Sequence, residues 1–332
     1  MKTQINIKTY TIIAILMAML SCYGFAQDGK TPTITKTFEL NQPGTLNSRS
    51  TCGGIVVKTH DESKVEVQVF VQRNYKILSS TDPLVADILK KIDLEIEKNG
   101  SVINVNAEHK NNFSFMGNFG FNLIIIVPRE MSCNVTSSGG GLEIYGVEGT
   151  HDFNSSGGSV YLENITGYTK AKSSGGGVKL TNHNGEIHVS SSGGGVSVNE
   201  AHGSVYAHCS GGSTHLENIH GDVDARSSGG GVSVSGECEY VKATSSGGSV
   251  NVNIKNLKKK LYLESSGGGI DAIIQNGNKL GLDLDLSASR VKIDLENFSG
   301  RSEKDRVKGR TNNGGIPVYM HTSLGNINVR YE

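Results

Sequence analysis

The sequence predicts an all-β fold: a parallel β-solenoid, β-helix- or β-roll-like, built of 18-residue, two-strand coils with irregular β caps at both ends. Three observations predict it. The word SSGGG and its variants recur with their first glycine at Gly139, Gly157, Gly175, Gly193, Gly211, Gly229, Gly247 and Gly267, so that six of seven steps are 18 residues and the last is 20. A fixed period of this length is the signature of stacked repeats. Counted from that glycine, the fourth and sixth positions are β-branched or aliphatic, as in Val178 and Leu180 or Val196 and Val198, and the thirteenth and fifteenth alternate likewise, as in Ile187 and Val189. Period-two alternation means a strand with one buried face, so each unit holds two short strands. Finally, the chain has 43 glycines, no tryptophan and only 6% aromatics. That composition suits a narrow interior and argues against a large conventional core.

The elements follow in order. Residues 1–26 read as an export signal, since Lys2 and Lys8 precede an apolar run from Tyr10 to Leu20, and Gly24 and Ala26 form a small-residue cleavage site. Lipidation at Cys22 is the rival reading, because Ser21-Cys22 closes the apolar run. Residues 27–135 form an N-terminal β-rich cap region continuous with the solenoid. There KVEVQVFVQ from Lys64 alternates as a strand, Asp82 to Lys90 suits a short helix with Pro83 in its first turn, and Asn99-Gly100 sits at the turn of a hairpin running from Lys91. Residues 136–276 are the solenoid repeats. Within a unit the eleventh position is Gly149, Gly167, Gly185, Gly203 and Gly221, and the eighth is Asn164, Asn182 and Asn218. Both types tolerate a left-handed corner. The glycines and serines of the word itself are expected to let the backbone turn while hydroxyls bond peptide groups. Residues 277–332, ending in HTSLGNINVRYE, form the C-terminal β cap.

The charges exclude one class of partner. The chain carries 32 basic and 32 acidic side chains, so nothing in its overall charge suggests a polyanion-binding protein, nucleic-acid binders included, for which a basic excess would be expected. No segment after the leader approaches the 20 or so apolar residues that span a membrane. Cys52, Cys133, Cys209 and Cys238 are too scattered to read as a disulfide framework. No helix follows any copy of the glycine word, so a phosphate-binding loop is not predicted.

Three chemistries make specific demands on these residues. A calcium β-roll needs Asp two residues after its glycine-rich turn, and the matching sixth position here is apolar in every regular unit. A glycosidase or lyase needs clustered carboxylates, whereas the outward fifth position runs Glu143, Tyr161, Lys179, Ser197, His215, Ser233. A metal site has one candidate. The tenth position includes His202, His220 and Cys238, which coil stacking would place in one column about 4.8 Å apart per step. A solvated corner is the competing reading of the same residues. The run KNLKKKLYLES from Lys255 reads as a charged loop facing water in the one lengthened coil.

The segments KTFELNQPGTLNSRSTCGGIVVKTHDESKVEVQV and NLIIIVPREMSCNVTSSGGGLEI, the serial SSGGG words and the closing HTSLGNINV resemble the bacterial putative adhesin family, exported β-strand-repeat domains of unknown function. The resemblance implies a secreted or envelope-associated β-solenoid. The expected function is therefore a non-enzymatic, exported scaffold at the cell envelope, in the periplasm, at the cell surface or secreted, adhesin-like or binding a ligand. The expected partner is an envelope protein or a surface glycan, with no nucleic acid and no cofactor. The alternatives are an envelope-stress regulatory partner of a membrane protein and a carbohydrate-active enzyme on a β-helix.

Overall fold

The computed structural model describes residues 31–74, 76–110 and 119–332. The expected export signal, its cleavage site and Cys22 lie outside the described residues. The described chain forms one sheet of 29 strands, mostly parallel, wound into a solenoid. Its two walls are joined by the strand Val160–Ser173, whose first half pairs on one wall and second half on the other.

The 18-residue repeat translates directly into register. On the first wall Val160 faces Val178, which faces Val196, then Thr214, Val232, Val250 and Ile270. On the second wall Ile187 faces Val205, Val223, Val241 and Leu261 in turn. These side chains are buried and meet across the narrow interior. Each fully buried aliphatic side chain contributes about 1.5–3 kcal/mol, but it does so against the coils above and below, so a single coil cannot stand alone.

The first of a coil's two corners is explained by backbone geometry. At the first, Asn164, Asn182 and Asn218 adopt φ of 57, 54 and 55°, and Glu200 occupies the equivalent place at 61°. Asn182 Nδ2 also donates to Asn164 Oδ1 of the coil below at 2.7 Å. Gly185, at φ 133°, follows that corner, and a Cβ there would lie 2.1 Å from the carbonyl oxygen of Gly167 in the preceding coil.

The glycine word works differently from expectation. None of its glycines has a positive φ. They are glycine because successive coils touch there: a Cβ on Gly175 would sit 2.5 Å from the Gly157 oxygen. Beneath them runs a column of buried hydroxyls. Ser191 Oγ donates to the Gly176 carbonyl of the preceding coil at 2.8 Å. Ser173 Oγ donates to Gly158 at 2.9 Å and accepts from the Gly176 N–H at 3.0 Å. Cys209 takes the same place, its Sγ donating to the Gly194 oxygen at 3.0 Å and accepting from Gly212 N–H at 3.2 Å.

Coil order does not follow chain order at the ends. The strands Gly44–Ser50 and Ile55–His60 make a coil that stacks on Met131–Ser137 and Leu142–Tyr145, far along the chain. The intervening segment covers that coil: Val102–His109 pairs beside Gly44–Ser50, and Phe119–Pro128 beside Ile55–His60. The expected hairpin is Ile92–Asn99 with Val102–His109, and Gly100 turns it at φ 61°. The expected helix is Pro83–Lys90, with Asp82 accepting from Leu84 N–H at 2.9 Å and Val85 and Ile88 buried. The C-terminal end repeats the device: Ile316–Thr322 and Asn326–Tyr331 form a coil on Lys260–Ser265 and Ile270–Ile274, while Leu282–Ser287, Arg306–Thr311 and Phe298–Ser302 lie beyond it.

Candidate functional site

The outward positions of the second wall form the most organised surface. Because its strands pair in register, Lys170, His188, Tyr206, Asp224, Lys242 and Tyr262 stand in one column, one per coil. Parallel pairing puts each about 4.8 Å from the next. The rings of His188 and Tyr206 stack at 4.5 Å with an 18° tilt, and Tyr168 meets His188 at 5.4 Å. Tyr262 and Tyr319 stack at 4.8 Å. Between the two ladders, Arg226 grips Asp224 with two bonds of 3.1 and 3.0 Å. Lys242 and Lys260 lie over the Tyr262 ring at 5.9 and 5.4 Å. The Tyr262 hydroxyl donates to Glu264 at 2.7 Å, and that bond is the main reason its pKa is pushed up to about 12.

Two shallow grooves lie along this wall. One, of about 440 Å³, runs past Tyr168, Lys172, His188, Tyr206 and Arg226. The other, of about 530 Å³, continues from Arg226 past Lys242, Lys260, Tyr262 and Glu264. The first wall is the more acidic of the two. Its outward fifth and seventh positions from Leu142 to Ile274 hold Glu143, Glu163, Glu217 and Asp271 against the single Lys179. Its tyrosines are turned to those acids: Tyr145 donates to Glu143 at 3.0 Å and Tyr161 to Glu163 at 2.7 Å.

The structure brings together two of the three sequence-predicted metal candidates. His202 and His220 face each other across adjacent strands, their rings stacked at 4.6 Å and tilted by 11°. Cys238 does not join them. A register shift after Leu216 pairs His220 with Glu237 instead, and His220 Nδ1 lies 3.8 Å from that carboxylate. Cys238 turns into the coil interior, fully buried, where desolvation pushes its thiol up to about 12. Among the described residues no group of three or more His, Cys, Asp or Glu side chains is placed to hold a metal ion. The lysine run is tied down at the same corner, with Lys258 on Glu239 at 2.7 Å and Lys259 on Asp222 at 2.9 Å.

The Toastrack DUF4097 family matches residues 53–330, which is most of the chain. The chain belongs to that family. The resemblance carried by the SSGGG words thus holds, and the Toastrack fold is the solenoid described above. Among solved structures, the chain is similar to a putative adhesin from Parabacteroides merdae at 11% identity, covering 91% of this chain and 97% of that one, with a TM-score of 0.38. A putative adhesin from Parabacteroides distasonis matches at 9% identity over 91% and 98%, with a TM-score of 0.37. A putative cell adhesion protein from Clostridium sporogenes matches at 11% identity over 91% and 100%, with a TM-score of 0.21. No functionally curated protein matches the chain.

The fourteenth-position column of this Toastrack chain escaped the sequence reading. That reading followed the fifth and tenth positions outward and the thirteenth and fifteenth inward. Listing the fourteenth would have set Lys170, His188, Tyr206 and Asp224 side by side. No helix among the described residues is long and apolar enough to cross a membrane.

Proposed function

We propose that this Toastrack protein is an exported, non-enzymatic scaffold at the cell envelope that binds an extended partner along a lateral wall of its solenoid, in the manner of an adhesin. The observation that carries this reading is the outward column from Lys170 to Tyr262. It repeats one side chain per coil, in register, along two joined shallow grooves. A stack of coils presents extended surface, which suits a long or flat partner better than a small substrate. Attachment of a deletion strain to surfaces, and binding of the mature protein to arrayed glycans, test the reading together. Reduced attachment that is restored by the intact gene is expected. Parental attachment by the deletion strain on every surface tried would overturn adhesion.

A further inference from the structure

We infer that the occupant of the grooved wall is an acidic polysaccharide lying along the solenoid axis; this rests on the scaffold reading above and gives its ligand a chemical class. The chain as a whole is neutral, but cations outnumber acids among the residues that line the two grooves. Lys170, Lys172, Arg226, Lys242 and Lys260 stand there against Asp224 and Glu264, with Asp152 paired to Lys170 from the preceding coil at 3.4 Å, while the fifth and seventh positions of the opposite wall hold Glu143, Glu163, Glu217 and Asp271 against Lys179. Lys172 leads an outer row that continues in register through Ser190 and His208 to Arg226. The excess of cations over acids in the grooves favours an anion on this side.

The shape indicates a polymer. The two grooves share Arg226 and together span the strands from Val160–Ser173 to Lys260–Ser265, five strand steps or about 24 Å. A single small anion would use one point of such a track and leave the rest idle.

Two other anionic polymers fit less well. Single-stranded nucleic acid binds by laying bases on open aromatic faces, and here His188 and Tyr206 spend faces on one another, as do Tyr262 and Tyr319. Ring edges and hydroxyls remain at the surface, alongside the hydroxyls of Ser190 and Thr244, and these suit the hydroxyls and carboxylates of a sugar chain. An acidic peptide would gain most by adding a strand to a sheet edge. The wall between coils offers no such edge, because its backbone groups are already paired with the neighbouring coils.

Affinity electrophoresis and calorimetry of the mature full chain test this, with polygalacturonate, neutral dextran, oligothymidylate and poly-L-glutamate as probes. The wild-type chain is expected to bind polygalacturonate in a salt-sensitive way and to ignore dextran. The variant Lys172→Glu/Lys242→Glu/Lys260→Glu should lose at least tenfold in affinity. Lys179→Glu, on the other wall, should stay within twofold, and unchanged thermal unfolding certifies both variants as folded. Failure to bind polygalacturonate, wild-type affinity in the folded triple variant, or equal binding of oligothymidylate or poly-L-glutamate overturns the inference. If the triple-variant gene restores attachment fully to the deletion strain, the acidic-glycan ligand falls while adhesion stands. If the deletion strain attaches like its parent although the protein binds polygalacturonate, adhesion falls alone.

Discussion

His151 and His183 lie wholly inside the coil stack. His183 Nε2 meets Thr169 Oγ1 at 2.9 Å and His151 Nε2 meets the Thr166 carbonyl at 3.3 Å, while neither Nδ1 has a protein partner. Burial lowers both imidazoles to about 4, and in His183 the neighbouring His151 adds to the effect. The sign of the consequence follows from the unfolded state, in which each ring takes up a proton near pH 6.5. Between about pH 6.5 and 4 the unfolded chain binds protons that the folded chain refuses, so stability falls as pH falls through that window. Each ring accounts for about 3 kcal/mol over the whole window. His183 occupies a column that elsewhere holds Ile165, Ala201 and Ile219. Replacing both partners, as His183→Ile/Thr169→Val, is therefore expected to be close to neutral at pH 7. It should remove about half of the acid loss, read as the shift in urea midpoint between pH 7 and pH 4.5. An unchanged shift would show that these rings do not set the acid sensitivity.

At the scale of the element, a corner is held by a chain of bonds repeated at every coil. Ser155, Ser173, Ser191, Ser227, Ser245 and Ser265 each reach the glycine carbonyl of the coil before, and Thr322 does the same in the last coil. Cys209 continues that chain with sulfur, which is why it is free and buried and has no need of a disulfide partner. Cys209→Ser is expected to hold stability within about 0.5 kcal/mol, since the same donor and acceptor remain. Cys209→Val removes the sulfur's two bonds and leaves the Gly212 N–H only its longer bond to the Gly194 carbonyl at 3.3 Å, while that carbonyl keeps Ser191 Oγ at 3.0 Å, so the loss is expected to be about 1 kcal/mol. Thermal unfolding followed by circular dichroism separates the two, and equal midpoints would sink the account of the column. Periodicity in the sequence located this corner because a repeated constraint leaves a repeated residue. It could not tell why glycine was required: the contact partner of Gly175 is Gly157, one coil away, and a turn and a close approach demand the same residue.

For the whole molecule, the ends matter most, because a solenoid that simply stopped would offer open strand edges to other chains. The coil Ile316–Thr322 with Asn326–Tyr331 closes the stack, and Leu282–Ser287 continues past it. Deleting residues 282–332 uncovers the edges of Lys260–Ser265 and Ile270–Ile274. Light scattering after gel filtration is expected to show that chain as higher-order species. A truncated chain with the mass and stability of the intact one would contradict the closing role. The amino-acid sequence by itself determined the solenoid, its period, the inward columns and the left-handed asparagine corners, because each is a local property copied along the chain. It misplaced Cys238 relative to His202 and His220, because a one-residue register shift is invisible in spacing yet turns a side chain from the outside to the inside. Only the tertiary structure decided that Gly44–His60 stacks on Met131–Tyr145 and that the last coil sits on Lys260–Ile274. Those features depend on pairing between residues far apart in the chain, where the contacts are set by which edges remain open rather than by local pattern.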